Sequence, residues 1–190
     1  MYIRYGKRLF DISLSIIAAL PALFLCLACA LAIRAEGSGA AIFKQVRVGR
    51  GRRPFTLYKL RTMSIDTGDR ASHEVSKAQI TRVGRFLRKT KLDELPQLLN
   101  VFRGDMSFVG PRPCLPSQDV LVAERFCRGV YAVRPGITGL AQLAGIDMST
   151  PVALAEADAR YVGHVGFLFD LNIIVKTGLG RGRGDAVKQG

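Results

Sequence analysis

The chain has 190 residues, which is enough for one domain with a hydrophobic core and too few for two. Its 28 lysines and arginines outnumber its 15 acidic residues and leave a net charge of +13, which requires an anionic partner such as nucleic acid or acidic lipid headgroups. The four cysteines and two histidines lack the spacing of a disulfide framework or of a tetrahedral metal site, which favours a reducing compartment.

A long apolar segment near the N-terminus is the first predicted element. The 22 residues from Ile12 to Ile33 carry no charge, and a straight helix of that length would extend roughly 33 Å, enough to cross a bilayer core. Both flanks are basic, although a single span can place only one flank on the cytoplasmic side. Pro21 interrupts the helical hydrogen bonding, so the segment is either a kinked transmembrane helix or a re-entrant helix that bends at Pro21 and returns. We assign residues 1–36 to this membrane anchor, which favours lipid over nucleic acid as the anionic partner.

A β-hairpin is predicted directly after the anchor. Apolar and polar residues alternate from Ala41 to Val48 and again from Phe55 to Met63, and a glycine- and arginine-rich turn joins the two segments. Seven basic residues and no acidic residue lie between Lys44 and Arg61. The hairpin therefore contacts lipid headgroups, or Lys59 or Arg61 binds a substrate phosphate.

Helices are predicted for most of the remaining chain. After a polar loop at 64–77, residues 80–91 form a basic amphipathic helix. A second helix follows, because Leu95, Leu98, Leu99 and Phe102 repeat with helical spacing and predict a core-facing stripe. Pro96 fits only the first turn of that helix, which places Asp93 at or near its N-cap, and Gly104 ends it.

The C-terminal part is predicted to be helical and then disordered. A helix begins near Thr150 and continues past Tyr161, and the apolar segment Phe167 to Val175 packs inside the domain or lies at the membrane surface. Residues 180–190 form a basic, glycine-rich tail. The fold class is therefore α+β and mainly helical, with a cytoplasmic domain at 37–179 that contains amphipathic helices and one small hairpin.

The adjacent carboxylates Asp93 and Glu94 are the candidate catalytic groups. An acidic residue at a helix start is ordinarily a cap, but two neighbouring carboxylates exceed what one cap requires. Arg85, Arg88 and Lys91 come just before them and could bind phosphate oxygens. A Mg²⁺ ion held by one or two carboxylates and by substrate phosphates would complete a phosphoryl-transfer site.

Five motifs in order make the chain closely resemble the bacterial sugar transferase family, the small monotopic phosphoglycosyl transferases. The resemblance extends from Lys7 to Leu171, and its strongest segments are Phe43–Gly49, Tyr58–Met63, Leu92–Val101, Gly104–Pro113 and Arg134–Gly139. It implies a re-entrant helix bent near Pro21 and a catalytic domain on the cytoplasmic face of the bacterial inner membrane.

The resemblance also implies an activity. Members transfer a sugar-1-phosphate from a UDP-sugar to polyprenol phosphate with Mg²⁺ and release UMP, which starts lipid-linked glycan assembly. Asp93 would be the nucleophile and a Mg²⁺ ligand, and Glu94 its partner. Phosphate contacts are expected from cations that could otherwise be ordinary surface charges: Lys59, Arg88, Arg112 and Arg134.

Two departures from the family pattern concern the substrate. Leu140 stands where members often have tryptophan, and Ala144-Gly145-Ile146 stands where Asn-Gly-Arg is common. The expected donor is a UDP-N-acetylamino sugar, with a UDP-hexose as the second choice. A membrane-tethered basic adaptor without enzymatic activity is the competing interpretation, but it gives no reason for the Asp93–Glu94 pair.

Overall fold

The computed structural model describes residues 2–64 and 80–181, so the predicted loop at 64–77 and the predicted tail at 180–190 lie almost entirely outside the described residues. A π-helical turn at Tyr2–Gly6 opens the chain. The helices are α1 (Lys7–Glu36), α2 (Arg82–Thr90), α3 (Gln97–Arg103), α4 (Asp119–Cys127), α5 (Leu140–Leu143), α6 (Pro151–Gly163) and α7 (Phe167–Gly178). The strands are β1 (Ile42–Val48), β2 (Pro54–Leu60), β3 (Ser107–Val109) and β4 (Gly136–Thr138). The predicted mainly helical fold with a small hairpin is confirmed.

Helix α1 is long and apolar enough to cross a membrane by length and composition. Only 17% of an apolar 18-residue stretch of this helix is buried against the rest of the protein, so most of its apolar side chains face outward. The helix continues through Pro21, and the structure does not divide it into two helices there. The predicted re-entrant bend therefore stays a prediction.

Both ends of α1 are attached to the remainder of the fold. At the N-terminal end, Lys7 Nζ lies 2.7 Å from Asp170 Oδ2 on α7 in a buried ion pair. At the C-terminal end, the Glu36 carboxylate accepts hydrogen bonds from the backbone N–H groups of Arg82 and Val83 and so caps α2. The two ends of the apolar helix consequently contact one folded unit.

The predicted hairpin is confirmed. Strands β1 and β2 pair antiparallel from Ile42 opposite Leu60 to Val48 opposite Pro54. Helix α3 packs beneath the hairpin through Asn100, whose amide donates to Thr56 O at 2.7 Å and whose Oδ1 accepts from the Tyr58 N–H at 3.2 Å. A polar face of α3 therefore holds the hairpin in place.

The predicted core-facing stripe of α3 is wrong. Leu99 and Phe102 are 43% and 55% exposed, whereas Asn100 and Val101 on another face of the helix are fully buried. Apolar periodicity identifies the apolar face of a helix, but it does not say whether protein or lipid covers that face. The outward apolar face of α3 resembles that of α1 and fits contact with a membrane.

The predicted N-cap position of Asp93 is also wrong. Helix α3 begins at Gln97 with Pro96 as its N-cap, and Asp93 lies earlier, in a 3₁₀ turn at Leu92–Glu94. Gly104 ends α3 in the left-handed conformation with φ +91°, as predicted.

A short parallel pair of strands brings distant segments together. Ser107 pairs with Gly136 and Val109 pairs with Thr138. The two chains approach so closely that a Cβ atom at Gly136 would lie 2.1 Å from the backbone nitrogen of Gly110. This contact fixes the loop that follows β3, and that loop carries Arg112.

Candidate active site

The predicted carboxylates lie where the chain reverses between α2 and α3. Lys91 ends α2 in the left-handed conformation with φ +59°, and its N–H group donates to Arg88 O at 3.3 Å. The 3₁₀ turn that follows places Asp93 and Glu94 close to the last turn of α2. The reversal therefore brings Arg88 and both carboxylates to the same cavity.

Glu94 is held by two cations from other parts of the fold. Its Oε1 accepts a hydrogen bond from Arg112 Nη2 at 2.8 Å and lies 3.4 Å from Lys59 Nζ on β2. Arg112 stands between Pro111 and Pro113, whose fixed backbone angles limit its movement. Glu94 thus fixes Lys59 and Arg112 side by side.

Asp93 differs from Glu94 because no described residue fixes the position of its carboxylate. The residue is only 8% exposed, and its side chain makes no hydrogen bond and no close ion pair with any described residue. Burial raises the pKa of Asp93 to about 6, and the charge of Glu94 acts in the same direction, while Lys59, Arg112 and Arg88 oppose the rise. The pKa of Asp93 therefore lies above that of an ordinary aspartate and below neutral pH.

Arg88 is positioned by a residue that was not among the predicted site residues. Its Nε donates a hydrogen bond to Thr62 Oγ1 at 2.9 Å. Helix α2 lies directly against this part of the chain, since a Cβ atom at Gly84 would lie 2.1 Å from Thr62 O. Thr62 falls within a segment that carries the family resemblance, but a threonine in that pattern gave no sign of a contact with Arg88.

The cavity around these groups has a volume of about 450 Å³. Its charged part is formed by Lys91 and by five residues to which the family resemblance gives roles. These five are Lys59, Arg88, Asp93, Glu94 and Arg112. Its apolar wall includes four residues of α1, which are Ala18, Pro21, Ala22 and Leu25, and beyond α1 it includes Leu95, Leu98, Phe108 and Ile137. Three neutral polar residues that were not predicted individually complete the lining: Thr138, Gln142 and Thr177. The cavity can therefore accept a ligand with a charged part and an apolar part.

Arg61 and Arg85, two of the candidate phosphate-binding cations, do not line this cavity. Among the site residues that the family resemblance implies, Arg134 is the one that does not line it. Its Nε donates to Gly104 O at 2.8 Å, and its side chain lines a different cavity beside the hairpin tip. The turn that carries it does reach the first cavity, but through Ile137 and Thr138.

The donor set fits a magnesium ion bound partly by substrate. Within residues 2–64 and 80–181, no group of three or more His, Cys, Asp or Glu side chains could hold a metal ion by itself. Mg²⁺ is ordinarily held by one or two carboxylates together with phosphate oxygens and water. Asp93 is the residue that could hold such an ion, because Arg112 and Lys59 already contact Glu94 Oε1.

Comparisons with known proteins identify the family to which the chain belongs. Residues 2–181 match the family model described as bacterial sugar transferase. The chain is 43% identical over 182 residues to UDP-glucose:undecaprenyl-phosphate glucose-1-phosphate transferase of Caulobacter vibrioides, covering 90% of this chain and 67% of that protein. It is 39% identical over 196 residues to the exopolysaccharide production protein PSS of Rhizobium leguminosarum bv. phaseoli, covering 94% and 97%. It is 35% identical over 182 residues to UDP-N-acetylgalactosamine-undecaprenyl-phosphate N-acetylgalactosaminephosphotransferase of Aeromonas hydrophila, covering 90% and 42%. The chain therefore belongs to the bacterial sugar transferase family.

Proposed function

We propose that the protein transfers a sugar-1-phosphate from a UDP-sugar to undecaprenyl phosphate and releases UMP, as the first membrane step in the assembly of a glycoconjugate or surface polysaccharide. Two of the relatives carry undecaprenyl phosphate and a UDP-sugar in their names. The observation that carries the proposal is the buried Asp93 carboxylate, which has no hydrogen-bond partner among the described residues and lies in the same cavity as Lys59, Arg88 and Arg112.

The proposed reaction has two displacement steps. In the first, a carboxylate oxygen of Asp93 bonds to the β-phosphorus of the donor, the bond between that phosphorus and the bridging oxygen breaks, and UMP leaves with the bridging oxygen. In the second, an oxygen of undecaprenyl phosphate bonds to the same phosphorus and the Asp93–phosphorus bond breaks. The products are the free carboxylate and a sugar joined to undecaprenol through a diphosphate.

The surrounding residues have separate roles in this scheme. Lys59, Arg88 and Arg112 neutralise the phosphate oxygens as negative charge shifts toward the leaving UMP. Glu94 holds Lys59 and Arg112 in place through its Oε1. Asp93 would also hold Mg²⁺, which supplies further charge neutralisation when it is bound.

The apolar wall of the cavity suits the lipid acceptor. Ala18, Pro21, Ala22 and Leu25 belong to α1, whose remaining surface is largely exposed and apolar. An isoprenoid chain that lies along α1 could therefore bring its phosphate to the charged part of the cavity. The membrane helix is thus proposed as part of the acceptor site as well as an anchor.

We further propose that α1 is re-entrant and that the domain lies on the cytoplasmic face of the inner membrane. The supporting observation is that Lys7 and Glu36, near opposite ends of α1, both contact the rest of the fold. A helix that crossed the bilayer would carry one of these contacts to the other side. Tags at the two termini are expected to be protected together from external protease in intact cells, and cleavage of the N-terminal tag alone would contradict this topology.

The proposed donor is a UDP-N-acetylamino sugar, and a UDP-hexose is the second candidate. The relatives differ on this point, since the Aeromonas protein is named for N-acetylgalactosamine and the Caulobacter protein for glucose. A panel of UDP-sugars tested for UMP release from the purified protein would identify the donor.

The decisive variant for the overall reaction is Asp93→Asn. With Mg²⁺, undecaprenyl phosphate and a UDP-sugar, the wild-type protein is expected to release UMP, and Asp93→Asn to lose at least about 10³-fold in rate. Asp119→Asn is the matched control, because Asp119 is exposed on α4 and away from the cavity. Full turnover by Asp93→Asn would remove Asp93 from the mechanism, and absence of turnover with every donor would favour the adaptor interpretation.

A further inference from the structure

A second cavity of about 570 Å³ lies between the hairpin tip and the C-terminal end of α3. Arg50 and Arg53 line it from the tip, and Arg134 lines it from the segment before β4. Asp105 is the one acidic residue in the described lining, so three positive charges face one negative charge. This cavity shares no described lining residue with the cavity around Asp93.

The arginines of this cavity have no carboxylate partner among the described residues. Within the described parts of the chain, no acidic side chain forms an ion pair with Arg50, Arg53 or Arg134. Arg134 instead donates its Nε to Gly104 O at the end of α3, which leaves its two Nη groups without a partner among those residues. Partial burial, together with the nearby charges of Arg8 and Arg50, lowers the pKa of the Arg134 guanidinium. Positive charge therefore exceeds negative charge here, although Asp105 in the lining and Asp11 near Arg134 offset part of it.

Backbone hydrogen bonds fix the hairpin tip that carries Arg50 and Arg53. The Gly49 N–H donates to Arg53 O at 2.8 Å, which closes the hairpin tip. Arg52 turns away from the cavity and places its guanidinium 5.0 Å from the ring centroid of Phe126 on α4. The tip thus presents Arg50 and Arg53 to the cavity, whereas Arg52 points toward α4.

We propose that this second cavity is a binding site for a phosphate-bearing anion, separate from the Asp93 cavity. The planar guanidinium group matches phosphate oxygens with paired hydrogen bonds, and three such groups around one space suit a phosphate better than a carboxylate. The ligand is either a soluble phosphate compound or the headgroup of an anionic phospholipid. A membrane could supply such a headgroup, because the exposed, apolar Phe102 on α3 lies two residues before Gly104, which lines the cavity. Arg8 donates a hydrogen bond to Phe102 O and adds a further positive charge there.

Titration calorimetry on the full-length protein in detergent tests the site without any catalytic step. The probes are inorganic pyrophosphate, a short-chain phosphatidylglycerol and the phosphatidylcholine of the same chain length, all at constant ionic strength. The variants are Arg53→Gln in the cavity, Arg52→Gln as the matched control on the same turn, and Arg112→Gln to weaken anion binding in the Asp93 cavity. Because Arg52 and Arg53 are both exposed, replacing either one leaves the core intact.

The expected result is saturable binding that Arg112→Gln retains and Arg53→Gln weakens roughly tenfold or more, the loss typical of one charge-assisted hydrogen bond. Arg52→Gln should stay within about twofold of wild type, since its charge faces Phe126. Tighter binding of phosphatidylglycerol than of pyrophosphate identifies a lipid headgroup, and the reverse order identifies a soluble phosphate. Equal losses in Arg52→Gln and Arg53→Gln, or loss in Arg112→Gln alone, would overturn the proposal.

Discussion

Replacement of Thr62 by valine tests whether the Thr62 hydroxyl holds Arg88 in the position that the proposed reaction requires. Valine has nearly the shape of threonine but lacks the hydroxyl that accepts a hydrogen bond from Arg88 Nε at 2.9 Å. A hydrogen bond to a charged group contributes about 1.5–3 kcal/mol, which corresponds to roughly 10- to 150-fold if the whole amount is expressed in the transition state. Thr62 does not line the cavity, so we expect Thr62→Val to lower kcat/KM by roughly tenfold or more without removing a substrate contact.

The assay is UMP release, with Thr62→Ser as the conservative control. Serine keeps the hydroxyl and should retain activity within about threefold of wild type. A double-mutant cycle with Arg88→Met isolates the effect, because Thr62→Val should cost nothing further once the guanidinium is gone. Additive losses in the cycle, or equal losses for Thr62→Val and Thr62→Ser, would refute the role of Thr62 in placing Arg88.

Three further predictions follow from the site and the core. In the proposed mechanism Asp93 must be ionised to attack, so kcat/KM at low magnesium should fall as the pH drops through about 6. Higher magnesium should move this fall to lower pH by stabilising the carboxylate, and an unchanged pH profile would argue against Asp93 as the metal ligand. Arg125→Met leaves the buried carboxylate of Asp158 without its two hydrogen bonds and should lower the free energy of unfolding in detergent by about 3–5 kcal/mol. Replacing both residues with apolar ones should lower it much less, and equal losses would contradict the importance of the pair. Gly84→Ala should separate α2 from Thr62 and lower both the melting temperature and the activity, and a variant with wild-type values of both would show that the close contact is unimportant.

Features set by neighbouring residues could be predicted from the sequence. The hairpin follows from alternating residues on either side of a glycine- and arginine-rich turn, and its observed strands differ from the predicted segments by only a few residues. Helix α2 could be predicted from its basic amphipathic pattern. Asp93 and Glu94 could be predicted as two carboxylates of one site because they are adjacent in the sequence. These inferences require only local periodicity and turn chemistry.

The features that were predicted wrongly, or not at all, depend on contacts between distant segments. The apolar face of α3 points outward because its polar face, through Asn100, is needed to hold the hairpin. Lys7 and Asp170 are 163 residues apart, and no periodicity relates them. Arg134 belongs with the hairpin tip because the turn around it meets the end of α3, a contact that only the folded chain reveals.

The most direct test of the account is the mass of the protein after reaction with its donor alone. Incubation with Mg²⁺ and the active UDP-sugar, without undecaprenyl phosphate, should add the mass of one sugar phosphate at Asp93 and release one equivalent of UMP. Addition of undecaprenyl phosphate should then remove the added mass as the lipid product appears. Product formation without any adduct, or an adduct mapped to a residue other than Asp93, would contradict the proposed covalent mechanism.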